Sequence, residues 1–397
     1  VSASKPPNST RAVHAGAPVV RPSHTLAASI AQTATYTFEN TADLEQYMRG
    51  EDPDPEREEY GRYGNPTVRE LEQRVQALEG AEDGVAFASG MAAISTALLS
   101  LVKAGEHVVL FNDCYRRTRQ LVRAVLSRFG IEHDVVPAGD LAALEAVLRP
   151  TTRLVLSESP TNPFLYCVDL QKLVAVVKRH GRVKTLVDST MATPINCRPL
   201  DFGVDIVVHS ATKYLSGHND VLGGVAVGAS HLVSLLRDSR GVLGTVLDPH
   251  AAFLILRGLK TLGLRVERQN TTALEVARAL EKHPAVERVY YPLLESHPSY
   301  TVARAQMSGG GGVVSFVVRG GREAASRVVD ACKLAQIAPS FGGPETLIEQ
   351  PAIMSYFEAS PEELDRLGIS PALVRLAVGV EETSDLLRDL LDALKNV

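Results

Sequence analysis

Lys213 stands in the segment Ser210-Ala211-Thr212-Lys213-Tyr214, directly after the apolar run Val204-Asp205-Ile206-Val207-Val208-His209. A buried strand that delivers a lysine to a sheet edge puts its amine among apolar neighbours. Desolvation penalises the ammonium form and lowers the pKa. An amine so tuned is a nucleophile toward aldehydes and can close a Schiff base. Ser210 and Thr212, on either side, offer hydroxyls to an anion such as a phosphate. Taken alone, the same pattern also fits a lysine in a solvated loop.

Other segments supply groups of matching chemistry. Ser89-Gly90-Met91-Ala92 falls where a strand gives way to a helix, and free N–H groups at a helix start suit a phosphate. Asp188, followed by Ser189-Thr190, ends a buried strand, where an acid needs a partner such as a protonated ring nitrogen. Tyr115, in Asp113-Cys114-Tyr115-Arg116-Arg117, can stack on a flat ring and exchange a proton, and Arg117 can hold an anionic group. Asn162 lies in a loop shaped by Pro160 and Pro163 and can be aimed at a phenolic oxygen. Tyr60 and Arg62 are two apart in an extended stretch, so they point to one side and together can grip a phosphate, across a subunit interface. Arg375 sits inside an apolar run and needs an anion, and Ser340 precedes Phe341-Gly342-Gly343 beside another strand. Plainer readings stand beside each of these: a cap for Ser89 and Asp188, a buried aromatic for Tyr115, a hinge for Tyr60 and Arg62, an internal salt bridge for Arg375.

The elements that must position these groups follow from the patterning. Short apolar runs at Gly84–Ala88, His107–Phe111, His133–Val136, Arg153–Ser157, Thr185–Val187, Asp205–Val208 and Gly224–Val227 alternate with helical patterns such as Met91–Val102, Thr118–Phe129 and Leu170–His180. That alternation predicts an α/β fold with a mostly parallel sheet covered on both faces. Arg257 to His283 reads as a long helical stretch that ends it. Strands at Val289–Tyr291, Gly312–Val318 and Val374–Val380, with helices near Arg322–Cys332 and Ser384–Leu394, then predict a smaller α+β domain. The Gly-rich turn Ser308 to Gly312 precedes a strand rather than a helix and is given no phosphate role. Residues 1–61 read as an arm with little core of its own, which must lie on some surface, a partner subunit being one candidate; 62–256 and 257–397 are the two domains.

The composition, 45% hydrophobic and 22% charged over 397 residues, supports a large core. A formal charge of -5 offers no basic field for nucleic acid or anionic membrane, so small molecules are the expected partners. Cys114, Cys167, Cys197 and Cys332 form no metal-type cluster and read as reduced thiols of a cytoplasmic protein. No run is long and apolar enough to span a bilayer, and Val1 to Pro7 lack the apolar stretch of a signal peptide.

Together and in order, these segments resemble the pyridoxal-phosphate enzymes of cysteine and methionine metabolism, the cystathionine γ-synthase and γ-lyase type. The resemblance runs from the arm to the last helix. It implies the type I fold of that cofactor's transferases and a homotetramer of two active dimers. It implies Lys213 as the cofactor lysine and proton carrier, Asp188 as partner of the ring nitrogen, and Tyr115 as stacking ring and acid or base. Ser89, Gly90, Met91, Thr190, Ser210 and Thr212 then surround the cofactor, with Asn162 near its phenolic oxygen and Tyr60 and Arg62 reaching a neighbour's phosphate. Ser340 and Arg375 become the substrate-carboxylate clamp.

Within that family, Asp113-Cys114-Tyr115-Arg116-Arg117, Ser157-Glu158-Ser159-Pro160-Thr161-Asn162-Pro163, Ile337-Ala338-Pro339-Ser340-Phe341-Gly342-Gly343 and Gln350-Pro351-Ala352-Ile353-Met354-Ser355 are similar to the plant-type synthases. There, a cation at the position of Arg117 helps hold the γ-substituent. Pro339 stands where bacterial cystathionine-handling relatives usually carry Glu, and Arg117 where methionine γ-lyases usually carry Cys. The resemblance implies replacement at the γ-carbon of an activated homoserine by a thiol such as cysteine. The alternatives are γ-elimination by a cystathionine or methionine γ-lyase, giving a 2-oxo acid and ammonia, and an O-acylhomoserine sulfhydrylase.

Overall fold

A computed structural model describes residues 9–18, 21, 24–54 and 57–397. Val1 to Pro7, and with them the opening of the arm, lie outside the described residues.

Seven strands form one sheet: β1 (Asp83–Phe87), β2 (His107–Phe111), β3 (Glu132–Val136), β4 (Thr152–Glu158), β5 (Lys184–Asp188), β6 (Ile206–Ser210) and β7 (Gly224–Gly228), in the order β1-β7-β6-β5-β4-β2-β3. The five from β2 to β6 run parallel. Only β7 opposes its neighbours, pairing antiparallel with both β6 and β1. Every residue of His-Val-Val-Leu-Phe in β2 is buried, as a strand covered on both faces requires. This is the expected mostly parallel sheet, and it carries the carboxyl ends of β4, β5 and β6 to one edge.

The helices around it start where the sequence satisfies their free N–H groups. Asn65 caps the helix Pro66–Glu79 by accepting from Thr67 and Val68, Pro66 fills the first position, and Gly80 ends it at φ 73. Its Val68, Leu71, Val75 and Leu78 share one buried stripe at helical spacing. The helix expected at Thr118–Phe129 starts earlier and is not uniform. It is α-helical over Arg116–Gln120, widens to a π turn over Leu121–Val125, and tightens to a 3₁₀ turn over Leu126–Phe129. The stretch expected as helical from Arg257 falls in two helices, Pro249–Leu259 and Leu262–Glu281.

A second sheet has five strands: β8 (Val286–Tyr290), β9 (Val313–Val318), β10 (Gln336–Ile337), β11 (Leu347–Glu349) and β12 (Leu373–Ala377), in the order β10-β11-β12-β9-β8. Strand β11 was not visible in the sequence, and it sets Glu349 directly opposite Arg375.

Described stretches of the arm pack on their own chain. Arg74 donates to the carbonyl of Val13 at 2.6 Å, and Ala12 is buried within the helix Ser9–His14. Further along, Asn65 donates to Ala31 O at 2.7 Å, Thr67 to Ser29 O at 2.9 Å, and Thr35 bridges to Tyr60.

Candidate active site

The sheet edge and the second sheet enclose a cavity of about 320 Å³. Ser89, Gly90, Met91, Tyr115, Asn162, Asp188, Thr190, Ser210, Thr212, Lys213, Ser340 and Arg375 all line it. Three expected residues do not. Arg117 is exposed on its helix, donating to Gln120 Oε1 at 2.7 Å. Arg62 donates to Gly241 O at 2.7 Å and covers the ring of Tyr63, in a separate cleft of about 470 Å³. Tyr60 stays beside it, about two-fifths exposed. Within one chain, therefore, Tyr60 and Arg62 are not part of the Lys213 cavity.

Lys213 leaves β6 in a turn whose N–H bonds back to Ser210 O at 3.1 Å. Its ammonium Nζ donates to Ser340 Oγ at 2.6 Å and lies 5.2 Å from the ring centre of Phe341. Burial first, then the nearby positive charge of Arg375, brings its pKa down to about 8, with Glu349 pulling the other way.

Ser340 adopts φ 97, a left-handed conformation costly for a residue with a Cβ. Two contacts hold it there: its hydroxyl meets Lys213, and its carbonyl accepts from Arg375 Nη2 at 2.9 Å.

Arg375 is 5% exposed, yet its fork is not idle. Nη1 reaches Asn162 Oδ1 at 3.3 Å and lies 3.0 Å from Glu349 Oε1. The internal salt bridge and the ligand site are thus the same place. Glu349 is 2% exposed, and neither of its oxygens makes a well-directed hydrogen bond. Burial raises its pKa, opposed by Arg375 and Lys213.

Asp188, at the end of β5, is held from one side. Thr190 donates to its Oδ1 through both the backbone N–H, at 3.0 Å, and the hydroxyl, at 2.5 Å. The Thr190 oxygen in turn accepts the N–H of Ser210 at 2.8 Å. Burial raises the pKa of Asp188 against these bonds. A carboxylate that lines the cavity and is held at one oxygen suits a protonated ring nitrogen.

At the start of the helix Gly90–Leu101, Ser89 Oγ takes the N–H of Ala92 and Ser89 O that of Ala93. The N–H groups of Gly90 and Met91 precede these bonds and are left for an anion. A Cβ on Gly90 would come within 2.8 Å of Ser210 Cβ, so only glycine allows strand and helix to approach here. Thr212 shares its hydroxyl with Gly223, accepting from its N–H at 3.0 Å. These donors, the Ser210 hydroxyl, the amine of Lys213 and the carboxylate of Asp188 fit a phosphorylated pyridine aldehyde.

Sequence reasoning missed two acids. Glu158 ends β4 beside Asp188 in register and accepts the N–H of Tyr115 at 2.7 Å, which fixes where that half-exposed ring leaves the backbone. Burial, reinforced by Asp188 and Asp113, raises its pKa well above the carboxylate range. The argument that singled out Asp188, an acid at a buried strand end, applies equally to it. Glu349 carried no comparable signal, because β11 spans only Leu347–Glu349.

Comparison with known proteins agrees with this geometry. The model of the Cys/Met metabolism PLP-dependent enzymes matches residues 9–395. The chain is 46% identical to cystathionine gamma-synthase 1, chloroplastic, of Nicotiana tabacum over 389 residues, which is 97% of this chain and 71% of that one. It is 42% identical to L-methionine gamma-lyase of Pseudomonas putida over 388 residues, covering 97% and 96%. The crystal structure of metB from Corynebacterium glutamicum superposes with a TM-score of 0.91 at 36% identity, over 98% of this chain and 97% of that one. The chain belongs to the Cys/Met metabolism PLP-dependent enzymes, with their type I fold, and its cofactor is pyridoxal phosphate.

Proposed function

We propose that the enzyme replaces the γ-substituent of an activated homoserine with a thiol such as cysteine. The observation that carries this reading is the gradient of similarity. The chain is 46% identical to the tobacco cystathionine gamma-synthase and 42% to the Pseudomonas putida methionine gamma-lyase, over nearly the same residues. Arg117, in place of a cysteine, supports it. The second reading, γ-elimination, rests on the same cavity.

Gly90 and Met91 N–H, Ser210 and Thr212 would hold the cofactor phosphate, Asp188 its ring nitrogen, Asn162 its phenolic side and Lys213 its aldehyde carbon. When bound, pyridoxal phosphate supplies an electron-withdrawing ring that stabilises negative charge on the substrate carbons. Arg375 takes the substrate α-carboxylate on its planar fork, exchanging it for the carbonyl of Ser340 and the amide of Asn162. Lys213, whose pKa burial lowers to about 8, keeps a share of neutral amine near physiological pH; it would take the α-proton at Nζ, hand it on at the cofactor's aldehyde-carbon side, and, neutral again, take a β-proton. Ser340 Oγ, 2.6 Å away, steadies Nζ between the two transfers. Tyr115, anchored by Glu158, stands ready to exchange protons with the departing and arriving groups. Arg117 serves the leaving substituent only if its side chain swings from Gln120.

The assembly in this reading is a homotetramer in which Tyr60 and Arg62 reach a neighbour's phosphate, since they do not line their own chain's cavity. The arm, the larger domain and, from Arg257, the smaller domain are its three units. Free thiols at Cys114, Cys167, Cys197 and Cys332 favour the cytoplasm. Deuterium exchange tests the base assignment. A γ-replacing enzyme incubated in D₂O with an unreactive four-carbon amino acid exchanges both its α- and β-protons; exchange at the α-carbon alone would refute it.

A further inference from the structure

A second cavity, of about 380 Å³, lies beside the first and shares Asn162 with it. Three arginines line it: Arg119, Arg288 and Arg366. None has a carboxylate within ion-pair distance among the described residues. Arg119 is 8% exposed, its Nε has no partner, and its one hydrogen bond is a long contact, 3.4 Å, to Tyr356 Oη. Arg288 rests on the ring of Tyr290, 5.0 Å from its centre, and the Arg366 guanidinium has no hydrogen-bond partner among the described residues. Both are exposed at the mouth. Asp113, the acid in this lining, bonds to its own backbone and to the Thr161 side chain and feels the charge of Arg119 from beyond ion-pair distance.

Arg119 feels the charges of Asp113 and Glu158, but neither lies within ion-pair distance, so its buried Nε stays without a direct partner, while Arg288 and Arg366 add positive charge from the exposed rim. An anion of forked geometry, a phosphate above all, would satisfy them. Tyr166 and Tyr290, whose rings meet edge to face, offer apolar surface for whatever the phosphate is attached to. We infer that this cavity is a second anion site, separate from the cofactor and substrate site, that takes a phosphate or a small phosphate ester.

Its position would couple it to catalysis. The N–H of Arg119 bonds to Tyr115 O at 3.1 Å. Arg366 lies in the last turn of the helix Pro361–Leu367, and a short connection of residues 368–372 leads from it into β12 and Arg375. An anion joining Arg119 to Arg366 therefore ties the Tyr115 side of the site to the Arg375 side, and its affinity and the substrate's become linked.

The test uses the holoenzyme, whose cofactor phosphate already occupies the first site. Titration calorimetry with inorganic phosphate, and separately with adenosine monophosphate, compares the wild type with Arg288→Ala/Arg366→Ala. Both substitutions are at exposed positions, and an unchanged visible cofactor band certifies the variant's fold. Saturable binding in the wild type, weakened about tenfold or more in the variant, is expected. Tighter binding of the nucleotide would identify an ester site, and equal binding a site for the free anion. Affinities within about twofold in the two proteins, or no saturable binding to the wild type, would overturn the inference.

Discussion

Lys213 Nζ and Ser340 Oγ lie 2.6 Å apart, and the serine is held at φ 97 to make that contact. One residue thus carries both a hydroxyl that the chemistry uses and a backbone conformation that the fold resists. The two can be separated. Ser340→Gly removes the hydroxyl and the strain, whereas Ser340→Ala removes only the hydroxyl. Both variants should lose about ten- to a hundredfold in kcat/KM, as expected for a group that positions the base. Chemical denaturation should find Ser340→Gly more stable than Ser340→Ala by about 1 kcal/mol. Equal stabilities would mean that the left-handed serine is unstrained.

The lowered pKa of Lys213 has a direct kinetic readout. Only the neutral amine attacks an aldehyde, so cofactor uptake by the cofactor-free enzyme should speed up with pH and level off around a midpoint of about 8. Stopped-flow absorbance between pH 6 and 10 measures it. A rate still climbing steeply at pH 10 would show that burial does not tune this amine.

Arg375 and Glu349 should behave as a pair. Arg375→Ala leaves a buried carboxylate without its counter-ion, a loss of about 3–5 kcal/mol. Adding Glu349→Gln removes the stranded charge, so the double variant should regain most of that stability while staying poorly active, because the carboxylate clamp is still missing. If the double variant is no more stable than Arg375→Ala alone, Glu349 is not the guanidinium's buried partner.

Much of this arrangement was legible in the sequence. Runs such as Val108–Phe111 and Ile206–Val208 are apolar on both faces, as strands covered on both sides require. With the strands located, the residues at their carboxyl ends became candidates, which is how Asp188 and Lys213 were found. What could not be read lies in the second sheet and in the contacts between the sheets. Strand β10 is two residues long and exposed, and β11 three, too short for any period to register. Glu349 enters the site only because β11 pairs with β12. The side-chain direction of Arg117 was likewise unreadable, since neighbouring positions on a helix face different ways and Gln120 captures it. In the arm, a polar composition says that the segment needs a surface to lie on but not which one; Arg74 and Asn65 hold described stretches of it on their own chain.

Asp113 gives a pH signature of stability. Burial pushes its pKa up to about 6, above its unfolded value. The folded state then holds the proton more tightly than the unfolded one, so this group's contribution is present at low pH and is lost as pH rises through about 6. Asp113→Asn keeps a partner for Thr161 without the charge. It should raise the melting temperature at pH 8, by a free energy of at most about 3 kcal/mol, and leave it nearly unchanged at pH 4. A gain of the same size at both pH values would contradict the assignment.

The most direct test of the proposed function is a mass-resolved product assay with O-phospho-, O-succinyl- and O-acetylhomoserine, each with and without cysteine. A γ-replacing enzyme forms cystathionine only when cysteine is present, and fastest from one ester, which names the leaving group. Dominance of 2-oxobutanoate and ammonia even under excess cysteine would contradict replacement and make the enzyme a γ-lyase.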